Sequence, residues 1–197
     1  MEQTYVMLRP DAILGNNVTQ IVNPESDAKL NLKTDRSFVV DILKRIKDAS
    51  FNIKNMKLIN FNQEEILYEH YAHSARRFPD TFPDFVKFMM STPCIAMIVE
   101  GKEVTKEIRD LLGDAADVRL CKEGTIRGDF GDKSKNIIWE NLMHASDSNE
   151  TAKKEIERFF GKQGEGRFEE LGNLTLTPDY NFIFEPNRTR LSEMNIE

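Results

Sequence analysis

A chain of 197 residues, 40% hydrophobic and 30% charged, is long enough for one core with insertions and short for two. A net charge of −6 and a pI near 5.3 disfavour the basic face that nonspecific nucleic-acid binding needs, so an anionic ligand must be met by a local group of arginines. There is no apolar run of membrane-spanning length and no basic-then-apolar leader at the start, and Cys94 and Cys121 form neither a disulfide framework nor a metal-ligand spacing, so a soluble cytoplasmic chain without a membrane partner is expected.

The first predicted element is a short strand at "TYVMLR" (4–9), broken by "PDA", with Arg9 and Asp11 just past its end. Residues 14–36 lack periodicity and read as a long loop or insertion. Phe38, Val39, Ile42, Leu43 and Ile46 share one helix face, with Ser37 as a candidate cap. A strand over 51–61 follows, then helices over roughly 63–73 and 81–90, and a buried strand in "PCIAMIVEG" (93–101).

"VTKEIRDLL" (104–112) is an amphipathic helix stopped by Gly113, with Arg109 on its flank, and the chain then reads as irregular to residue 140. A closing helix runs from about Asn149 to Phe160, with Asp147 and Ser148 as candidate caps and Asp147 and Glu150 as a capping pair. This order suggests a small mixed sheet covered by helices on one face.

The chemistry concentrates near that last helix. His144 is read as lying just before the cap, near the positive end of the helix dipole, which favours a neutral imidazole and an approaching anion. Glu155, two turns into the helix, is placed to fold back and orient the ring. Arg9, Arg109 and Arg127 are candidates to converge on phosphates through their planar guanidinium forks. His70 and His73 read as solvated helix residues, and the Arg-Gly-Asp within "RGDF" is set aside as an adhesion signal because the chain reads as cytosolic. Neither glycine-rich phosphate-loop pattern occurs, so side chains and metal would have to hold a nucleotide's phosphates.

"NLMHASDS" (141–148) fits throughout the N-x-x-H-[GA]-S-D-S signature of the nucleoside diphosphate kinase family, which the chain resembles. "YVMLRPDA" is similar to that family's first strand and K-P-D-G turn, "EHYAHSARR" to its E-H-Y segment, and "FVKFMMSTPCIAMIVEG" to its V-K-Y-M run. "GTIRGDF" is a family string, and "FEEL" and "NFIFE" resemble its closing segments. The resemblance covers nearly the whole chain and implies a single α/β (α+β) domain over 1–197, ferredoxin-like, with a four-stranded antiparallel sheet, an insertion at about 14–36 and an extended segment at about 161–197.

It also implies a ping-pong transfer of the γ-phosphoryl group of a nucleoside triphosphate to a diphosphate through phospho-His144. Glu155 orients that ring and Ser146 supports it. Asn141 contacts the ribose and phosphate region, Tyr71 lies near the γ-phosphate, and Arg109 and Arg127 clamp the phosphates. Mg²⁺ is held mainly by the nucleotide, with no protein metal ligands, and a hexamer or tetramer of identical chains is implied.

Departures are visible. Arg9 replaces a lysine, Ala115 a threonine, and "KEGT" a K-P-G-T loop. The family's base-stacking phenylalanine falls on Thr81, with Phe82 or Phe78 nearby to serve instead. Rival readings are a catalytically impaired nucleotide-binding module and a protein-histidine phosphotransferase on the same fold.

Overall fold

A computed structural model describes residues 1–13 and 38–187. The expected insertion at 14–36 and the Ser37 cap lie outside the described residues.

Strand β1 (Glu2–Leu8) leads through a single helical turn, α1 (Pro10–Ile13), and the chain resumes at helix α2 (Val39–Asp48), strand β2 (Asn52–Asn60) and helices α3 (Glu65–His70), α4 (Ala72–Arg77) and α5 (Phe82–Met89). Strand β3 (Cys94–Gly101), helix α6 (Val104–Leu112), a 3-10 turn (Val118–Leu120) and helix α7 (Ile126–Phe130) follow. Strand β4 (Met143–Ala145), helix α8 (Asn149–Phe160), a second 3-10 turn (Lys162–Gly164) and strands β5 (Glu169–Leu176) and β6 (Phe182–Pro186) complete the described chain.

The strands form one six-stranded sheet in the order β4-β1-β3-β2-β5-β6, and every neighbouring pair is antiparallel. Two expectations are corrected here: the sheet is not mixed, and it has six strands rather than four. The first four positions in the order match the expected core unit, and the C-terminal hairpin β5–β6 adds two strands along the outer edge of β2. That hairpin escapes a periodicity reading because "EELGNLTL" carries charged, amide and glycine residues of low strand propensity. Its register is fixed by pairing with β2 and by Lys57, whose ammonium meets Glu170 at 2.6 Å and lies over the rings of Phe160 and Phe168.

Helices cover both faces rather than one. The period-two alternation of β1 sends Val6 and Leu8 into an aliphatic layer with Ile42, Leu43 and Ile46 of α2 and Val104 and Ile108 of α6. Tyr5 and Met7 face the opposite layer, where Phe61, Leu67, Phe85 and Phe159 make an aromatic core. The T-shaped and stacked ring pairs there, such as Tyr5 on Phe159 at 4.7 Å, give that layer orientational order that aliphatic packing lacks.

The segment expected to be one helix over 63–73 divides at Tyr71, whose backbone (φ −107°) ends α3 and begins α4 while its ring turns inward. The stretch read as irregular to 140 holds α7, capped by Thr125, whose hydroxyl accepts the Gly128 N–H at 3.1 Å. Gly128 is required by close approach, since a Cβ there would lie 1.8 Å from the Lys122 carbonyl oxygen. Gly113 ends α6 as expected, at φ +104°.

Candidate active site

His144 is not beside the cap of α8. It sits in the middle of β4, paired with Met7 of β1, and Ser148, four residues on, caps the helix by accepting the Thr151 N–H at 3.1 Å. Of the two candidate caps, Ser148 alone takes the position. Strand alternation then decides where the imidazole points: Met143 and Ala145 enter the aliphatic layer, and His144 shares the aromatic face with Met7.

Glu155, on the inner face of α8 and 3% exposed, reaches back to the ring. Its Oε1 lies 3.0 Å from His144 Nε2, and its Oε2 accepts the Ser146 hydroxyl at 2.5 Å. Ser146 is itself seated by the Tyr5 N–H, which donates to Oγ at 3.3 Å. A carboxylate can only accept, so Nε2 carries a ring proton, and in the uncharged ring the lone pair is then the one on Nδ1. The three predicted residues His144, Glu155 and Ser146 are thus brought together.

A second set surrounds Asn141, which is 3% exposed. Its Oδ1 accepts from Arg9 at 2.6 Å and from Arg127 at 3.3 Å, and its Nδ2 donates to the carbonyls of Ala116 and Ile138, both at 3.0 Å. Arg127 places all five of its N–H bonds on protein oxygens. Nε meets Asn141 O, Nη1 meets Gly113 O and Ala115 O, and Nη2 meets Met143 O and the Asn141 side chain. Burial, with Arg9 adding repulsion, brings the Arg127 pKa down to about 10, still charged at neutral pH.

Arg9 also donates to Trp139 O at 3.1 Å and to the Tyr71 hydroxyl at 3.3 Å, and its guanidinium lies over the Tyr71 ring. Burial raises the Tyr71 phenol to about 12 against the pull of Arg9, so it stays protonated; its ring stands edge-on to His144 at 5.5 Å.

Between the two sets lies Leu142, a non-glycine residue at φ +70°. Asp11 accepts its N–H at 2.8 Å, and its carbonyl accepts the Arg9 N–H at 2.8 Å. These bonds hold an unfavourable backbone in place and set the chain direction entering β4. Burial raises the Asp11 pKa from 3.8 to about 6.

Two other predicted residues fall differently. Arg109 is half-buried on α6, in a groove of about 400 Å³ shared with Asp147 and Ser148, and makes no hydrogen bond among the described residues. Phe82 is corrected: it is 3% exposed, at the start of α5, with its ring against Tyr68 and Phe85, and shows no open face to a base. Phe78 is more open, 38% exposed at the end of α4 with the Arg77 guanidinium over its ring at 5.2 Å.

His70 was missed as a site residue. Its side chain is fully buried, Nδ1 stands 3.5 Å from Glu155 Oε1, and its ring centroid is 4.7 Å from that of His144. Burial, reinforced by His144 and nearby arginines, holds its pKa well below the usual histidine range. The signal was present: residue 70 follows Ile66 by four and Leu67 by three, which puts it on the buried face of α3. His73, by contrast, is exposed as expected.

An imidazole oriented by a buried carboxylate, with arginines nearby, is the arrangement of a group-transfer enzyme that accepts a phosphoryl group on nitrogen. Residues 33–164 match the family model "Nucleoside diphosphate kinase". The nucleoside diphosphate kinase of Acetivibrio thermocellus is 32% identical over 81% of this chain and 96% of its own length, and that of Thermus thermophilus is 35% identical over 81% and 96%. Among solved structures, the apo nucleoside diphosphate kinase of Encephalitozoon cuniculi superposes with a TM-score of 0.63 at 28% identity, covering 83% of this chain and 91% of that one. The halophilic enzyme of Halobacterium salinarum in complex with CDP gives a TM-score of 0.60 at 26% identity, covering 96% and 97%. The chain belongs to the nucleoside diphosphate kinase family.

Proposed function

We propose that the chain catalyses its family's reaction, nucleoside triphosphate plus nucleoside diphosphate exchange, through a phosphohistidine on Nδ1 of His144. The observation that carries this reading is the 3.0 Å contact of Nε2 with Glu155, which leaves the opposite nitrogen as nucleophile.

In the first half-reaction, the Nδ1 lone pair attacks the γ-phosphorus. The Nδ1–P bond forms as the bond to the bridging oxygen breaks, and that electron pair leaves on the nucleoside diphosphate. The ring becomes cationic while its Nε2–H faces Glu155, so the carboxylate, itself held by Ser146, stabilises charge where it develops. The second half-reaction reverses these steps with another diphosphate as acceptor, and each needs positioning more than further covalent chemistry.

Arg109, with open donors, is the residue suited to bind phosphate oxygens directly, while Arg9, Arg127 and Asn141 form the frame behind them and contribute positive field. Tyr71 closes the site beside the ring, and Phe78 offers the face for a base. Mg²⁺ enters as part of the nucleotide substrate. His70, His144 and Glu155 offer two nitrogens and one oxygen, unlike the oxygen shell Mg²⁺ prefers, so the nucleotide phosphates are its main ligands. Assembly as a homo-oligomer and a cytoplasmic location belong to the same reading; no helix among the described residues is long and apolar enough to cross a membrane.

The test is to incubate the protein with γ-labelled ATP and Mg²⁺ without acceptor, then add a nucleoside diphosphate. Label that is acid-labile, requires His144 and leaves on the added diphosphate supports the relay. Nucleotide binding without labelling refutes it.

A further inference from the structure

We propose that His70 Nδ1, His144 Nε2 and Glu155 Oε1 form a binding site for a single transition-metal ion of the Zn²⁺ type, and that occupancy switches the nucleophile off. The three donor atoms lie within 4.8 Å of one another, 3.0 Å from His144 to Glu155 and 3.5 Å from His70 to Glu155. An ion bound tetrahedrally at ordinary Zn–N and Zn–O lengths separates its donors by about 3.4 Å, close to both histidine–Glu155 separations, and binding would draw the two imidazole nitrogens to that spacing. Two imidazoles and a carboxylate with one position open are a zinc-type donor set.

Further contacts shape the site. Ser146 fixes Glu155 from the outer oxygen, as a supporting partner does for a metal-bound carboxylate. His70 Nδ1 accepts a long hydrogen bond from Arg158 at 3.4 Å and stands 3.5 Å from Glu155, while its Nε2 is buried without a hydrogen bond. With the His70 proton on Nε2, the Nδ1 lone pair faces the carboxylate oxygen, and a cation between them removes that repulsion. The partly exposed edge of His144, at 16% side-chain exposure, is the side open to an entering ion. Opposing charge comes from Arg158 and, farther off, Arg9; Tyr5 and Tyr71, the other titratable groups packed here, are neutral.

Inhibition follows from the tautomer. Metal on Nε2 takes that nitrogen's lone pair, so the ring proton moves to Nδ1 and the nucleophilic lone pair is lost; no proton need leave the ring. The metal site stands on geometry alone, whereas its inhibitory effect rests on the proposed relay.

The experiment titrates nucleotide-free protein with Co²⁺, a coloured substitute for Zn²⁺, and measures phosphoenzyme formation from Mg·ATP in parallel. One Co²⁺ per chain is expected, with the intense absorption of a four-coordinate site, and labelling should fall in proportion to occupancy. His70→Phe should weaken Co²⁺ binding by about a hundredfold through loss of a ligand, and Arg158→Gln should tighten it by about three- to tenfold through loss of repulsion. Where His70→Phe does not fold, the sign of the Arg158→Gln effect decides. Absence of stoichiometric Co²⁺ binding, equal binding by His70→Phe, or weaker binding by Arg158→Gln overturns the proposal. Metal-free protein that takes label but binds no Co²⁺ defeats the metal site alone; protein that binds Co²⁺ but never takes label defeats the relay alone.

Discussion

The imidazole side and the guanidinium side of the site meet at residues 141–144 and are organised in opposite ways. Around His144, two contacts fix the carboxylate and one nitrogen of the ring is left open. Around Asn141, the donors of Arg127 and both ends of the asparagine amide are committed to the protein's own oxygens. The first region is organised to react; the second is organised to hold the first in place. A buried arginine near a nucleophile is therefore not by itself a ligand-binding arginine, and Arg109, half-buried and without a hydrogen bond among the described residues, has donors to offer.

The sharpest way to break the contrast is at the ring. His144→Ala should lower exchange by on the order of 10⁴-fold or more while leaving the fold intact, which steady-state rates and an unfolding curve would check together. Retained exchange would remove the nucleophile from the account.

Next come the arginines. Arg127→Ala should destabilise the fold by about 3–5 kcal/mol, because it strands buried carbonyl oxygens as well as removing a charge. Arg109→Ala should change stability by no more than about 0.5 kcal/mol, yet raise the nucleotide KM or lower kcat. Urea midpoints and kinetics on both variants would show whether the two roles are exchanged.

Glu155→Gln keeps the shape but gives up the full negative charge facing Nε2–H, and should reduce turnover by about 10- to 100-fold. An unchanged rate would make Glu155 a packing residue.

A smaller, pH-dependent effect belongs to Asp11. Its folded pKa is raised from 3.8 to about 6, so the fold prefers the protonated acid. Stability from this group is absent well above pH 6, grows as pH falls through about 6, and is complete below about 3.8. Relative to Asp11→Asn, the wild type should gain about 2–3 kcal/mol between pH 7.5 and 4. Parallel stability curves for the two proteins would refute that assignment. Phe78→Ala should have the least effect, a severalfold rise in nucleotide KM with little change in stability.

Much of this was legible in the chain. The strands β1 and β3 and the helices α2, α6 and α8 follow from periodicity and stop signals, and the grouping of His144, Ser146 and Glu155 follows from one motif and one helix face. What was not legible depends on partners distant in sequence. β4 is three residues long, too short for an alternation signal, so His144 reads as part of a helix entry when it belongs to a strand. Arg127 reads as a phosphate ligand in "GTIRGDF", and its structural bonds are invisible there because its acceptors, Gly113, Ala115, Asn141 and Met143, lie 12 to 16 positions away. Phe82 and Phe78 are chemically alike, and only packing shows that one is enclosed and the other open.

The most direct measurement is the position of phosphate on the histidine ring. The protein is phosphorylated with Mg·ATP, kept at alkaline pH, and studied by phosphorus NMR and by peptide mapping of the labelled site. A single phosphohistidine at His144, substituted on Nδ1, is the predicted result. Phosphate on Nε2, or on any other residue, would contradict the claim that Glu155 selects the reactive nitrogen.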